Sequence, residues 1–207
     1  MNSLSICLIG NSLHFKEAIT STWPNCKLDI IAWRNASLFI SSEYVYDFIF
    51  LAGYNYDSYN ISYEDYYNSN IIHPLDLLRR IIKSKDTLIY YIMTTPPKKS
   101  WTFSRYLYAK NKLALIISSE FVNSKIIYLP TIIDSYGNMI SFKPTNQLIF
   151  TFLRKIGFVK VVDKTNLSKS FLSNEHQISH HLLDCIPIAL VMPRSITFDR
   201  ILRLLIG

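Results

Sequence analysis

Glycine is scarce in this sequence, with five in 207 residues. That scarcity excludes collagen-like and glycine-rich low-complexity classes and leaves few places where left-handed backbone is free of strain. Cysteine is scarcer still. Cys7, Cys26 and Cys185 are odd in number, widely spaced and form no C-x-x-C pair. This argues against a disulfide framework or a thiolate zinc site and for reduced thiols in a cytoplasmic protein. Long apolar runs are also missing. No stretch approaches the roughly 18 apolar residues a membrane span needs, and residues 4–9 are too short, and lack the basic flank, for a signal peptide. Only 18% of residues are charged against 49% hydrophobic, so a disordered chain is excluded and one well-packed domain is expected.

What is abundant is aromatic side chain, with 14 Tyr and 12 Phe, and positive charge, formally +7. A basic balance suits phosphate-bearing ligands or nucleic acid. The densest basic clusters, however, are the pairs Arg79-Arg80, Lys98-Lys99 and Arg154-Lys155, with no basic stripe interleaved with aromatics. A solvated basic surface is the better reading, and nucleic-acid binding ranks last among the functions considered. His176, His180 and His181 lack carboxylates or thiolates at ligand spacing and read as a polar loop, so no metal is expected.

The chain alternates strand and helix, the pattern of a parallel sheet covered on both faces. Strands are expected at residues 4–9, 28–33, 48–51, 87–93, 125–129 and 158–162. Helices are expected at 15–22, 63–83, 104–118, 147–156 and 198–206. Pro74 inside the 63–83 segment predicts a kink or a late start, and Gly157 a helix C-cap. Residues 54–60, rich in Tyr, Asn and Ser, read as a loop.

Five short features then occur in a fixed order. They are Leu4-Ser-Ile-Cys-Leu-Ile-Gly10, Asp47-Phe-Ile-Phe-Leu-Ala-Gly53, Asn70-Ile-Ile-His-Pro-Leu-Asp-Leu-Leu78, Ile89-Tyr-Tyr-Ile-Met-Thr-Thr95, and Tyr108-Ala-Lys-Asn-Lys112 followed by the strand to Pro130. In that order they resemble the short-chain dehydrogenase/reductase superfamily, of the NAD-dependent epimerase/dehydratase type, in a short and degenerate form. The resemblance implies a Rossmann-like, doubly wound, mostly parallel α/β sheet over residues 1–133, with a short C-terminal α+β extension over 134–207.

It also implies a site. Tyr108 and Lys112, four apart on one helix, would share a face, and the lysine ammonium would favour the phenolate. Tyr108 would exchange a proton with a sugar hydroxyl or carbonyl while hydride passes to or from nicotinamide. Thr95, thirteen residues earlier, would orient the same oxygen, ahead of Thr94, and Asn70 would support Lys112. An overlapping copy, Tyr106 with Lys110, ranks second, because Ala109 and Leu113-Ala114-Leu115 match the family's small and apolar positions around Tyr108/Lys112.

For the cofactor, NADP or NAD, the resemblance implies Gly10, Asn11, Ser12 and Lys16 at the pyrophosphate turn. Ala52, Gly53, Lys112 and Pro130 would lie along the cofactor, and Arg34 would face a 2′-phosphate. Two departures stand against it: Leu13 and Lys16 occupy the second and third glycine positions, and only residues 35–46 separate Arg34 from Asp47, too few for the usual third strand. The leading expectation is an NAD(P)-dependent oxidoreductase or epimerase acting on a sugar or nucleotide-sugar, with a homodimer through the helices at 70–82 and 104–118. The rival is a non-catalytic Rossmann-like protein that binds a ligand or partner and has lost dinucleotide binding.

Overall fold

The computed structural model describes residues 3–32, 44–53, 61–93, 101–102, 104–129, 131–138, 140, 147–157, 161–172 and 186–187. Five strands form its main sheet: β1 (Ser5–Ile9), β2 (Lys27–Ile31), β3 (Phe48–Leu51), β4 (Leu88–Met93) and β6 (Ser124–Tyr128). They lie in the order β2-β1-β3-β4-β6 and every pair is parallel. In register, Ile6 lies between Leu28 and Phe48, and Tyr91 lies against Ile126. The inner strands are nearly continuous apolar runs because both faces are covered. Ile6, Cys7, Leu8 and Ile9 are fully buried, as are Ile49, Phe50 and Leu51.

Helices cover both faces, so the fold is a doubly wound, Rossmann-like α/β sheet. On one face pack α1 (Leu13–Thr22) and α6 (Leu167–Leu172), where Phe50 stacks on Tyr90 and meets Phe171. The other face carries α2 (Tyr63–Tyr67), α3 (His73–Ile81) and α4 (Arg105–Glu120) over Ile9, Leu51, Tyr91 and Met93. Arg79 of α3 grips Glu120 at the end of α4 with two bonds, 2.6 and 2.8 Å. This pair holds the Glu120 carboxyl below its usual range.

The segment at 63–83 is helical from Tyr63 and is disturbed just before Pro74 by a π-helical turn, Asn68–Ile72, between α2 and α3. Pro74 has no N–H to donate, and its ring would press on the carbonyl of Asn70 four residues back. A wider turn immediately upstream relieves that contact, and Pro74 falls in the first turn of α3.

Three short strands were not anticipated. β5 (Trp101–Thr102) pairs with β9 (Ile186–Pro187), and β7 (Thr131–Ile133) pairs with β8 (Val161–Asp163), which overlaps the strand expected at 158–162; both pairs are parallel. Between β7 and β8 lies α5 (Gln147–Lys155), which buries Phe150 against Ile133. Gly157 follows it at φ +75°, as a C-cap requires.

Candidate active site

The chain reverses its direction of travel across the sheet between β1 and β3. In open parallel sheets the crevice at the carboxyl ends of such strands is where ligands bind. Gly10 closes β1 there, donating its N–H to Ile31 O at 2.9 Å. Beside it, Ala52 and Gly53 both donate to Ile9 O, at 3.0 and 2.9 Å. The approach is close: a Cβ on Gly10 would lie 3.1 Å from the Gly53 nitrogen, and its φ of +141° suits glycine alone. Asn11 is exposed and Ser12 half-buried. Ser12 occupies the N-cap of α1 without a side-chain capping bond, while its carbonyl accepts from Lys16 N. Leu13 is 60% exposed and Lys16 exposed on the first turn of α1.

Across the crevice stands α4. Ser104 caps it by accepting from Leu107 N at 3.2 Å. Its first half, Arg105 to Asn111, is buried without interruption, so it has no solvent face to betray its orientation. Lys110 is 4% exposed and points at the sheet edge, its Nζ donating to Gly53 O at 3.1 Å and Ile92 O at 3.4 Å. Tyr106 lies one turn earlier on the same face. The second-ranked copy of the motif is therefore the one aimed at the carboxyl ends of β3 and β4.

Tyr108 and Lys112 are turned about 200° from that face, two residues further along the helix. Tyr108 packs in the core against α2, its ring 6.1 Å from that of Tyr63. Burial, and then a hydrogen bond with Tyr108, raise the Tyr63 phenol well above its ordinary range. Lys112 is half-buried further up α4. Ala109, Leu113 and Ala114, the neighbours that favoured Tyr108/Lys112, are core residues beside Tyr108, whereas Lys110 is the lysine of α4 whose ammonium lies against Gly53 O and Ile92 O.

Asn70 is 2% exposed within the π turn, where α4 packs, and its Nδ2 donates to Tyr66 O at 3.2 Å. Arg105, also buried, donates to Ile61 O at 3.0 Å and lies over the Tyr66 ring. Sequence reasoning overlooked Tyr91. It is fully buried on β4 and donates to Lys110 O at 3.1 Å. Burial, and then the nearby phenols of Tyr106, Tyr128 and Tyr66, raise its pKa well above 10. A signal existed, since a buried tyrosine in an apolar strand must place its hydroxyl on some partner.

Thr94, Thr95, Arg34, Pro130, Cys185 and the three histidines 176, 180 and 181 lie outside the described residues, as do the loop at 54–60 and the expected helix at 198–206. Among the described residues no three His, Cys, Asp or Glu gather as a metal set. No described helix is long and apolar enough to cross a membrane.

One solved structure similar to this chain is the dTDP-glucose 4,6-dehydratase of Bacillus anthracis, a crystal structure in complex with NAD. It shares 9% identity at a TM-score of 0.50, over 84% of this chain and 72% of that one. The likeness is one of fold. A second is the capsular polysaccharide assembling protein CapF of Staphylococcus aureus, 16% identical at a TM-score of 0.45 over 80% of this chain. This chain spans about half of CapF, 47% of its length. No family model and no curated protein matches the sequence.

Proposed function

We propose that this chain is an NAD(P)-dependent oxidoreductase or epimerase of a sugar-type substrate, and that Tyr106 and Lys110 carry its chemistry. One observation supports this above the others: a buried lysine whose ammonium lies against Gly53 O and Ile92 O, at the carboxyl ends of two neighbouring strands. Burying an ammonium is expensive unless it is hydrogen-bonded, and a site that retains one there is using it.

The residues present can hold a dinucleotide. The N-terminus of α1, whose first N–H groups donate to no Ser12 side-chain oxygen, suits a pyrophosphate, with Ser12 and Lys16 on the same first turn. Arg34 is assigned to a 2′-phosphate, and Ala52, Gly53 and Pro130 to the path of the cofactor, on the resemblance alone. When bound, the nicotinamide supplies hydride transfer. The chain's own residues do the rest. Lys110 fixes a ribose hydroxyl one helical turn along α4 from Tyr106. Tyr106 takes a proton from a substrate hydroxyl, or returns one to a carbonyl. Thr95 orients that oxygen, and Asn70 braces α4 from the π turn.

Titration of the protein with NADH and NADPH tests this reading by nicotinamide fluorescence and melting temperature. Saturable binding is expected, weakened about tenfold or more by Lys110→Ala, in line with loss of a charge-assisted bond. Lys112→Ala should leave it unchanged. The second reading, a binding protein without dinucleotide, draws on Leu13, which projects at 60% exposure from the position where the resembled family has glycine. Absence of binding at millimolar NADH and NADPH would favour it.

A further inference from the structure

We propose that Tyr91 is the positioning residue for Lys110, holding it at both ends so that its ammonium stands ready at the sheet edge. This rests on the reading of Lys110 as the working lysine of the site.

Tyr91 makes two different contacts with one residue. Its hydroxyl donates to the Lys110 backbone carbonyl at 3.1 Å. The face of its ring lies under the Lys110 ammonium, 5.0 Å from Nζ to the centroid. A carbonyl in mid-helix already accepts the N–H four residues on and keeps a second lone pair free. The Tyr91 hydroxyl takes that lone pair from the sheet side. A bond from a strand side chain to a mid-helix carbonyl fixes both the rotation and the axial position of α4 over β4. That rotation is what separates the Tyr106/Lys110 face from the Tyr108/Lys112 face.

The ring does the second task. Lysine has four rotatable side-chain bonds and loses substantial freedom when ordered. Here the backbone end is held by the phenol, and the charged end rests on the ring and on Ile92 O, the next carbonyl along β4. A cation over a desolvated aromatic face is favourably placed. Burial keeps the Tyr91 phenol protonated and therefore a donor. Phenylalanine at this position would keep the ring and lose the hydroxyl, and leucine would lose both. The two contacts can thus be removed in steps.

Acetylation of Lys110 is followed by mass spectrometry in the wild-type protein, Tyr91→Phe and Tyr91→Leu, with exposed Lys164 and Lys169 as internal references. Lys110 is expected to react slowly in wild type, about fivefold faster in Tyr91→Phe and faster again in Tyr91→Leu, while the references stay constant. NADH titration supplies the second readout. Tyr91→Phe should raise Kd about fivefold when Lys110 is present and have no further effect in the Lys110→Ala background.

A merely structural tyrosine would weaken binding equally in both backgrounds, and that result overturns the proposal. So does Lys110 reactivity in natively folded Tyr91→Phe equal to that of wild type. If the wild-type protein binds no NADH, the oxidoreductase reading alone fails, and the acetylation rates still decide the role of Tyr91.

Discussion

At the scale of single residues, Gly10 shows how one atom sets the crevice. Its φ of +141° and the 3.1 Å from a would-be Cβ to Gly53 N mean that Gly10→Ala is opposed twice, by the backbone angle and by another backbone that cannot rotate away. Gly157 is the natural control, with φ +75° but nothing within 4 Å. We expect Gly10→Ala to lose about 1–3 kcal/mol and Gly157→Ala about 1 kcal/mol, read from urea midpoints. Gly10→Ala should also weaken dinucleotide binding, because a displaced Gly53 carries the carbonyl that Lys110 holds. Equal losses in the two variants would show that the close approach at Gly10 contributes nothing beyond its φ.

At the scale of elements, the strands were legible because their chemistry is unambiguous. Phe48–Leu51 is an apolar run bounded by Asp47 and Gly53, and a parallel strand buried on both faces reads that way. β5 and β9, two residues each, carry too short a pattern to be seen. The existence of α4 was legible but its rotation was not. Seven consecutive buried residues from Arg105 to Asn111 erase the apolar-polar contrast that would tell one face from another. The small residue Ala109 and the run Leu113-Ala114-Leu115 then favoured the copy that faces Tyr63. The π turn was equally hidden, since Pro74 announces a disturbance without its form. In that turn the N–H bonds run to the carbonyl five back, as His73 N to Asn68 O does, and the Asn70 side-chain amide donates to the Tyr66 carbonyl four back. Asn70→Leu leaves that buried carbonyl without its amide and should cost about 1–3 kcal/mol. A shift of the urea midpoint smaller than that of an exposed substitution such as Lys169→Ala would refute this account of the turn.

At the scale of the whole molecule, the titrating groups divide by sign and by depth. The lowered carboxyls Glu120, Asp134 and Asp163 are at the surface: Arg79 lowers the first, and bonds from backbone N–H groups chiefly lower the other two. Solvent screens such groups, so the acid limb of stability should be shallow. Except for Arg79, raised at the surface by Glu120, and the half-buried Cys26, the raised groups are in the interior. Burial pushes the Cys7 thiol from 9.0 to about 12 and the Tyr128 phenol from 10.0 to about 12, and also raises Tyr90, Tyr91 and Tyr63. In each case the unfolded chain gives up its proton first as pH rises, so the folded state holds more protons and stability falls. The stabilising contribution is whole below pH 9 and is lost progressively from there to about 12. The thiols Cys7 and Cys26 act first, because their unfolded value lies below that of tyrosine, and the fully buried Cys7 carries the larger share. Urea midpoints measured at increasing pH should therefore begin to drop near 9, and Cys7→Ala should make the drop between 9 and 10 shallower, before the phenols take over. A midpoint that stays level from pH 9 to about 12 would mean that the interior opens to hydroxide without unfolding. The packed tyrosines behind Lys110 would then be a wet cluster, and a preorganised lysine could not depend on them.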